Sequence, residues 1–157
     1  MARRSVELLD LLTRAERLAA RRMQAALAEF DCSVEAWRVL DLLADGEGHH
    51  MTALADHAFL PAPTLTKLVD QLVDQNLVFR RIDPADRRRV LAHLTPRGMR
   101  RRQLLAEAVR TDREAWEPLL AAEDGRQLAV LLDRLTSALQ DGGVSRSRAE
   151  RSAGRAR

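Results

Sequence analysis

Nine arginines fall between Arg80 and Arg102, in the stretch RRIDPADRRRVLAHLTPRGMRRR, against only Asp83 and Asp86. The local balance is +7 on a chain whose formal total is +3, while residues 1–79 and 103–140 are both net acidic. Guanidinium groups gathered in this way suit one chemistry, the multidentate binding of oxyanions such as phosphate. Because much of the remaining chain repels polyanions, the pattern fits contact with nucleic acid along one defined edge. Just upstream, the segment from Pro63 to Val73 sets Leu65, Leu68, Val69, Leu72 and Val73 on one helical stripe and leaves Thr64, Thr66, Lys67, Asp70 and Gln71 outside it. Thr, Lys and Gln can hydrogen-bond to base edges in a major groove, and a helix N-terminus favours phosphate. Taken alone, this segment fits a solvated helix face as well as a groove-reading one.

The elements that must position these residues are mostly helical. Over residues 5–30, Leu8, Leu12, Ala15, Ala19, Met23, Ala26 and Phe30 recur at three- and four-residue spacing. Ser33 is an N-cap for a second helix carrying Trp37, Leu40 and Ala44 inward until Asp45-Gly46 stops it. Thr52 is expected to cap a short third helix to about Phe59, and Pro63 suits the first position of a fourth that ends near Gln75. Asn76 tolerates a left-handed backbone. Val78–Ile82 and Val90–Leu94 then read as two strands joined by Asp83-Pro84-Ala85-Asp86 turn chemistry, which puts Arg87, Arg88 and Arg89 at or near a hairpin tip. A hairpin directly after such a helix is a wing. Arg81, Arg87, Arg88 and Arg89 are its expected nucleic-acid contacts, with Asp86 holding Arg88 by a charge-assisted hydrogen bond. Three adjacent like charges repel one another and gain little in a merely solvated turn.

Composition removes other classes. The chain has 157 residues, is 46% hydrophobic and 3% aromatic, and has no Tyr, which suits one domain with a real core and argues against base-stacking single-strand binders. Cys32 is the only cysteine, and the notion of a peroxide sensor gives way to an inert buried thiol beside Asp31. His49-His50 with Cys32 lacks further ligands at a spacing that closes a zinc site, so a solvated loop is expected there, with no metal and no cofactor. Motifs of the GxSxG, phosphate-loop and HExxH kinds are missing, so no enzyme is expected. The longest purely apolar run, Leu128–Leu132, is too short to span a bilayer, and a cytoplasmic protein is expected. The sequence from residue 141 to 157 reads as a basic disordered tail.

Thr64-Leu-Thr-Lys-Leu-Val-Asp-Gln-Leu72, Asn76-Leu-Val-Phe-Arg80, Asp83-Pro-Ala-Asp-Arg-Arg88 and Leu94-Thr95-Pro-Arg-Gly98 together resemble the signature of the MarR family of bacterial transcription factors, over about residues 5–140. Asn76 departs from the glycine usual there. The resemblance implies a mainly α fold with a small β-hairpin wing: a winged helix-turn-helix lobe at about 33–95 and dimerisation helices at about 5–30 and 96–140. It implies that Pro63, Thr64, Thr66, Lys67 and Gln71 face the major groove and that Asp86 and Arg88 form the wing-tip pair.

Thr95-Pro96 is expected to open a long helix with Met99, Leu105, Ala108, Val109, Ala115, Trp116 and Leu119 on or beside one face, kinked or ended by Pro118. A last helix carries Leu128, Leu131, Leu132, Leu135 and Leu139. Such long end helices exceed what a small winged lobe needs, and the resemblance implies a homodimer that reads palindromic double-stranded DNA. It further implies a repressor released by a small aromatic or anionic effector, for which Met23, Phe30, Trp37, Arg38 and His57 are the candidate pocket residues. The competing class is a helical coiled-coil or membrane-surface adaptor with a basic patch; the internal wing argues against it.

Overall fold

The computed structural model describes the backbone of residues 2–153 and the side chains of 7–118 and 120–139. Its elements are α1 (Ala2–Ala28), α2 (Val34–Leu42), a single 3-10 turn (Leu43–Asp45), β1 (His49–His50), α3 (Met51–Ala58), α4 (Ala62–Asp74), β2 (Val78–Ile82), β3 (Val90–Leu94), α5 (Pro96–Glu114), α6 (Glu117–Ala121) and α7 (Glu123–Ala153). The three strands form one antiparallel sheet in the order β1-β3-β2. Two compact units result, residues 1–112 and 113–157.

The first unit contains the winged helix-turn-helix. Ser33 caps α2 by accepting the Ala36 N–H at 3.1 Å, and Gly46, at φ 81°, ends the turn that follows. Leu27, Val39, Leu40, Leu43, Leu54, Leu65, Val69, Val78, Ala92 and Leu105 are almost fully buried and draw α1, α2, α3, α4, the sheet and α5 around one core. Asn76 adopts φ 56°, so the chain turns sharply out of α4: its N–H meets the Val73 carbonyl and that of Leu77 the Leu72 carbonyl. The β2–β3 register pairs Val78 with Leu94 and Ile82 with Val90.

The junction into α5 is tight. Buried Thr95 donates its hydroxyl to the Asn76 carbonyl at 2.7 Å and accepts the Gly98 N–H at 2.9 Å. A β-carbon on Gly98 would lie 2.0 Å from the Leu77 carbonyl oxygen, so only glycine permits this approach. α5 ends at Glu114, and Pro118 takes the second position of α6, where its missing N–H costs nothing.

Several expectations are corrected. His49-His50 is not a solvated loop: both residues pair with β3, opposite Ala92 and Leu91, and their rings meet Asp45 at 2.7 Å and Asp83 at 3.7 Å. α3 begins at Met51 with His50 as its extended N-cap, ahead of Thr52, because β1 delivers the chain straight into the helix. Pro61 caps α4, so Pro63 is its second residue and not its first. The bounds of α7 run to Ala153, over much of the segment expected to be a basic tail. Residues 154–157 of that segment, and the side chain of Leu119, lie outside the described residues.

Apolar side chains remain uncovered along α1, α5 and α7. Leu8, Leu9, Leu11 and Leu18 on α1, Leu104 on α5, and Leu128, Val130, Leu131, Leu132 and Leu139 on α7 are all exposed. Of the stripe expected on α1, only the C-terminal end meets the core: Met23 and Phe30 pack against it, and the fully buried residue is Leu27, one position beyond Ala26.

Candidate nucleic-acid interface

α4 divides its faces as its sequence suggests. Leu65, Val69 and Leu72 are buried and Leu68 and Val73 pack against them, which turns Pro63, Thr64, Thr66, Lys67, Asp70 and Gln71 outward. Pro61 has no side-chain donor or acceptor with which to cap the helix, so the first-turn N–H groups stay open to an anion. The Thr66 hydroxyl donates to the Ala62 carbonyl at 2.9 Å. Asp70 accepts from Arg80 of β2 at 2.6 Å, fastening α4 to the base of the wing.

The wing tip is organised by two carboxylates. Asp83 accepts the Ala85 N–H at 2.8 Å, and its own N–H reaches the Arg89 carbonyl at 2.9 Å. Asp86 accepts the Arg88 backbone N–H at 3.1 Å, while its second oxygen lies 3.1 Å from Arg89 Nε. The expected Asp86–Arg88 side-chain pair is therefore replaced by Asp86–Arg89, because the turn folds the Arg88 amide onto the carboxylate and leaves its guanidinium outside. Arg81, Arg87 and Arg88 are exposed, and no ion pair holds them among the described residues.

Between wing and helices lies a cleft of about 760 Å³ lined by His50, Met51, Thr52, Ala53 and Asp56 on one side and Arg88, Arg89 and Val90 on the other. No side chain caps α3, so its N-terminal amides face the same space as two arginines. Sequence reasoning missed this cleft, since β1 is only two residues long and its pairing with β3 is what carries the start of α3 to the wing. The Gly46 and Gly48 turn before His49 was the available signal.

The five effector-pocket candidates are not gathered around one cavity by any of the clefts described. Trp37 is buried in the core with the Arg102 guanidinium 5.8 Å from its ring centre, and Arg38 stacks over exposed Phe59 at 5.0 Å. Met23 and Phe30 pack on the core, and His57 is exposed on α3. Cys32 is buried, and that burial raises its thiol pKa above the ordinary value, with Arg101 pulling the other way.

The MarR family model matches residues 30–89, which run from the end of α1 to the wing tip. A protein of Thauera aromatica described as a transcriptional regulatory protein for the hcr operon is 32% identical over 94 residues, 59% of this chain and 57% of its own length. The HTH-type transcriptional regulator FarR of Neisseria gonorrhoeae is 31% identical over 105 residues, 67% of this chain and 69% of its own. Among solved structures, NadR in complex with 4-hydroxyphenylacetate superposes with a TM-score of 0.68 at 28% identity, covering 82% of this chain and 88% of that one. With the helix-turn-helix, the wing and the Thr95–Gly98 junction in place, the chain belongs to the MarR family of transcriptional regulators.

Proposed function

We propose that the protein binds double-stranded DNA sequence-specifically as a homodimer at palindromic operators, and acts as a repressor released by a small aromatic or anionic effector. The observation that carries this reading is the wing tip: Arg87 and Arg88 project from a turn whose two aspartates are already committed to holding it, beside the outward edge of α4. Free guanidiniums next to a polar helix edge and two open helix N-termini make a surface for phosphate with base-reading side chains at its centre. Pro63, Thr64, Thr66, Lys67 and Gln71 are the groove-facing set, and Arg81, Arg87, Arg88 and Arg89 the wing contacts. A DNA partner implies the cytoplasm, and no helix among the described residues is long and apolar enough to cross a membrane.

The homodimer is supported by the uncovered leucines of α1 and α7, a larger run of exposed apolar side chains than a monomer commonly carries. Release by an effector is supported by likeness to NadR, whose ligand is an aromatic carboxylate. Selecting bound fragments from genomic DNA and sequencing them tests the reading: enriched fragments should share an inverted repeat with half-site centres about 10 bp apart. Enrichment without a shared repeat would leave only non-specific binding.

A further inference from the structure

A second basic site lies away from the DNA edge. The first eleven residues of α5, Pro96 to Ala106, contain four arginines and no acid. Arg102 is neutralised by Asp41 at 2.6 Å, and half-buried Arg101 donates to the Phe30 carbonyl. Arg97 and Arg100 are exposed and hold no ion pair among the described residues. Positions 97, 100, 101 and 104 share one helix face, and this face walls a cleft of about 450 Å³ closed by Gln75, Leu77 and Asp31. Three guanidiniums against one carboxylate leave a balance of +2 in a concave space that also offers an amide and two leucines.

We propose that this cleft binds a small molecule carrying a dianionic phosphate group and an apolar flank. The charge matches a phosphate monoester, whose oxygens can take paired N–H donors from Arg97 and Arg100, while Leu77 and Leu104 cover the flank. DNA is the poorer occupant. Gln75 caps the C-terminal end of α4, and the helix's thirteen residues separate it by about 20 Å from the open N-terminal turn. The site shares no residue with Met23, Phe30, Trp37, Arg38 and His57. A ligand there would bridge the end of α4 to α5 and to the loop after α1.

Calorimetric titration of the full chain at constant ionic strength, with inorganic phosphate, phenyl phosphate and benzoate as probes, tests the assignment. One site per chain is expected, with phenyl phosphate tighter than inorganic phosphate and benzoate at least tenfold weaker than phenyl phosphate. The Arg97→Gln/Arg100→Gln pair should weaken phenyl phosphate at least tenfold, and Gln75→Glu, which only adds charge at an exposed position, should do likewise. Arg87→Gln/Arg88→Gln should leave it unchanged. Absence of saturable binding, equal binding of benzoate, or loss that follows the wing pair in place of the α5 pair would overturn the site. No DNA is present in the titration, so its failure would leave the DNA-binding reading untouched.

Discussion

Asp86 is shared between a backbone and a side chain: one oxygen accepts the Arg88 N–H at 3.1 Å and the other lies 3.1 Å from Arg89 Nε. A negative charge on a surface that must approach phosphate is unfavourable by simple electrostatics, yet here it fixes the turn and frees the Arg88 guanidinium. Asp86→Ala should therefore weaken DNA binding although it removes a repulsive charge. In double-mutant cycles it should couple by about 0.5 kcal/mol or more to Arg89→Ala, its ion-pair partner, and also to Arg88→Ala, whose guanidinium the turn presents. Tighter binding by Asp86→Ala would show that the carboxylate is only a turn residue.

Readout and anchoring should separate. Lys67 and Gln71 point outward from the middle of α4, so Lys67→Ala or Gln71→Ala should cost about 1–3 kcal/mol at particular operator positions. Arg87→Ala should weaken every sequence alike and reduce the salt slope by about 1. Titrations of operator and random DNA at several salt concentrations distinguish the two, and equal losses on both DNAs for all three variants would remove the base-reading role.

Gly98 makes a sharp stability prediction. A methyl group there must displace the Leu77 carbonyl, which is held by the Thr95 N–H at 3.0 Å, so strain cannot relax by turning a side chain. Gly98→Ala should destabilise by about 1–3 kcal/mol in urea unfolding, despite alanine's higher helix propensity. A gain in stability would mean that α5 is not docked this closely.

Cys32 is a pH probe. Burial raises its thiol pKa above the ordinary 9.0, so the folded state favours the protonated form. That stability is complete below the unfolded value and is lost as pH rises through the folded one. Alkylation by iodoacetamide at pH 7 should be slower than for an unfolded control, and Cys32→Ala should flatten the decline of stability above pH 9. Rapid alkylation of the native protein would contradict its burial.

The wing strands were legible in the sequence to the residue, because β-branched and apolar runs at Val78–Ile82 and Val90–Leu94 flank unmistakable turn chemistry. So was the left-handed Asn76, and so was the start of α5 at Thr95-Pro96, where the structure adds that the Thr95 hydroxyl accepts the Gly98 N–H. β1 escaped because two residues carry no periodicity and their pairing partner lies some forty residues on. The Asp86 partner escaped for a related reason: adjacent arginines differ only in which way the turn aims them. No local pattern marks the cleft between α3 and the wing either, since long-range pairing creates it.

The ratio of affinities for a selected operator and for a shuffled fragment of equal length, measured by fluorescence anisotropy at one fixed salt concentration, tests groove reading most directly. A base-reading dimer should prefer the operator by about 10³ or more, with two chains per operator and a ratio that falls for Lys67→Ala while absolute affinity falls for Arg87→Ala. A ratio near one, with both DNAs losing affinity alike as salt rises, would mean that the basic wing only holds phosphate and that α4 reads nothing.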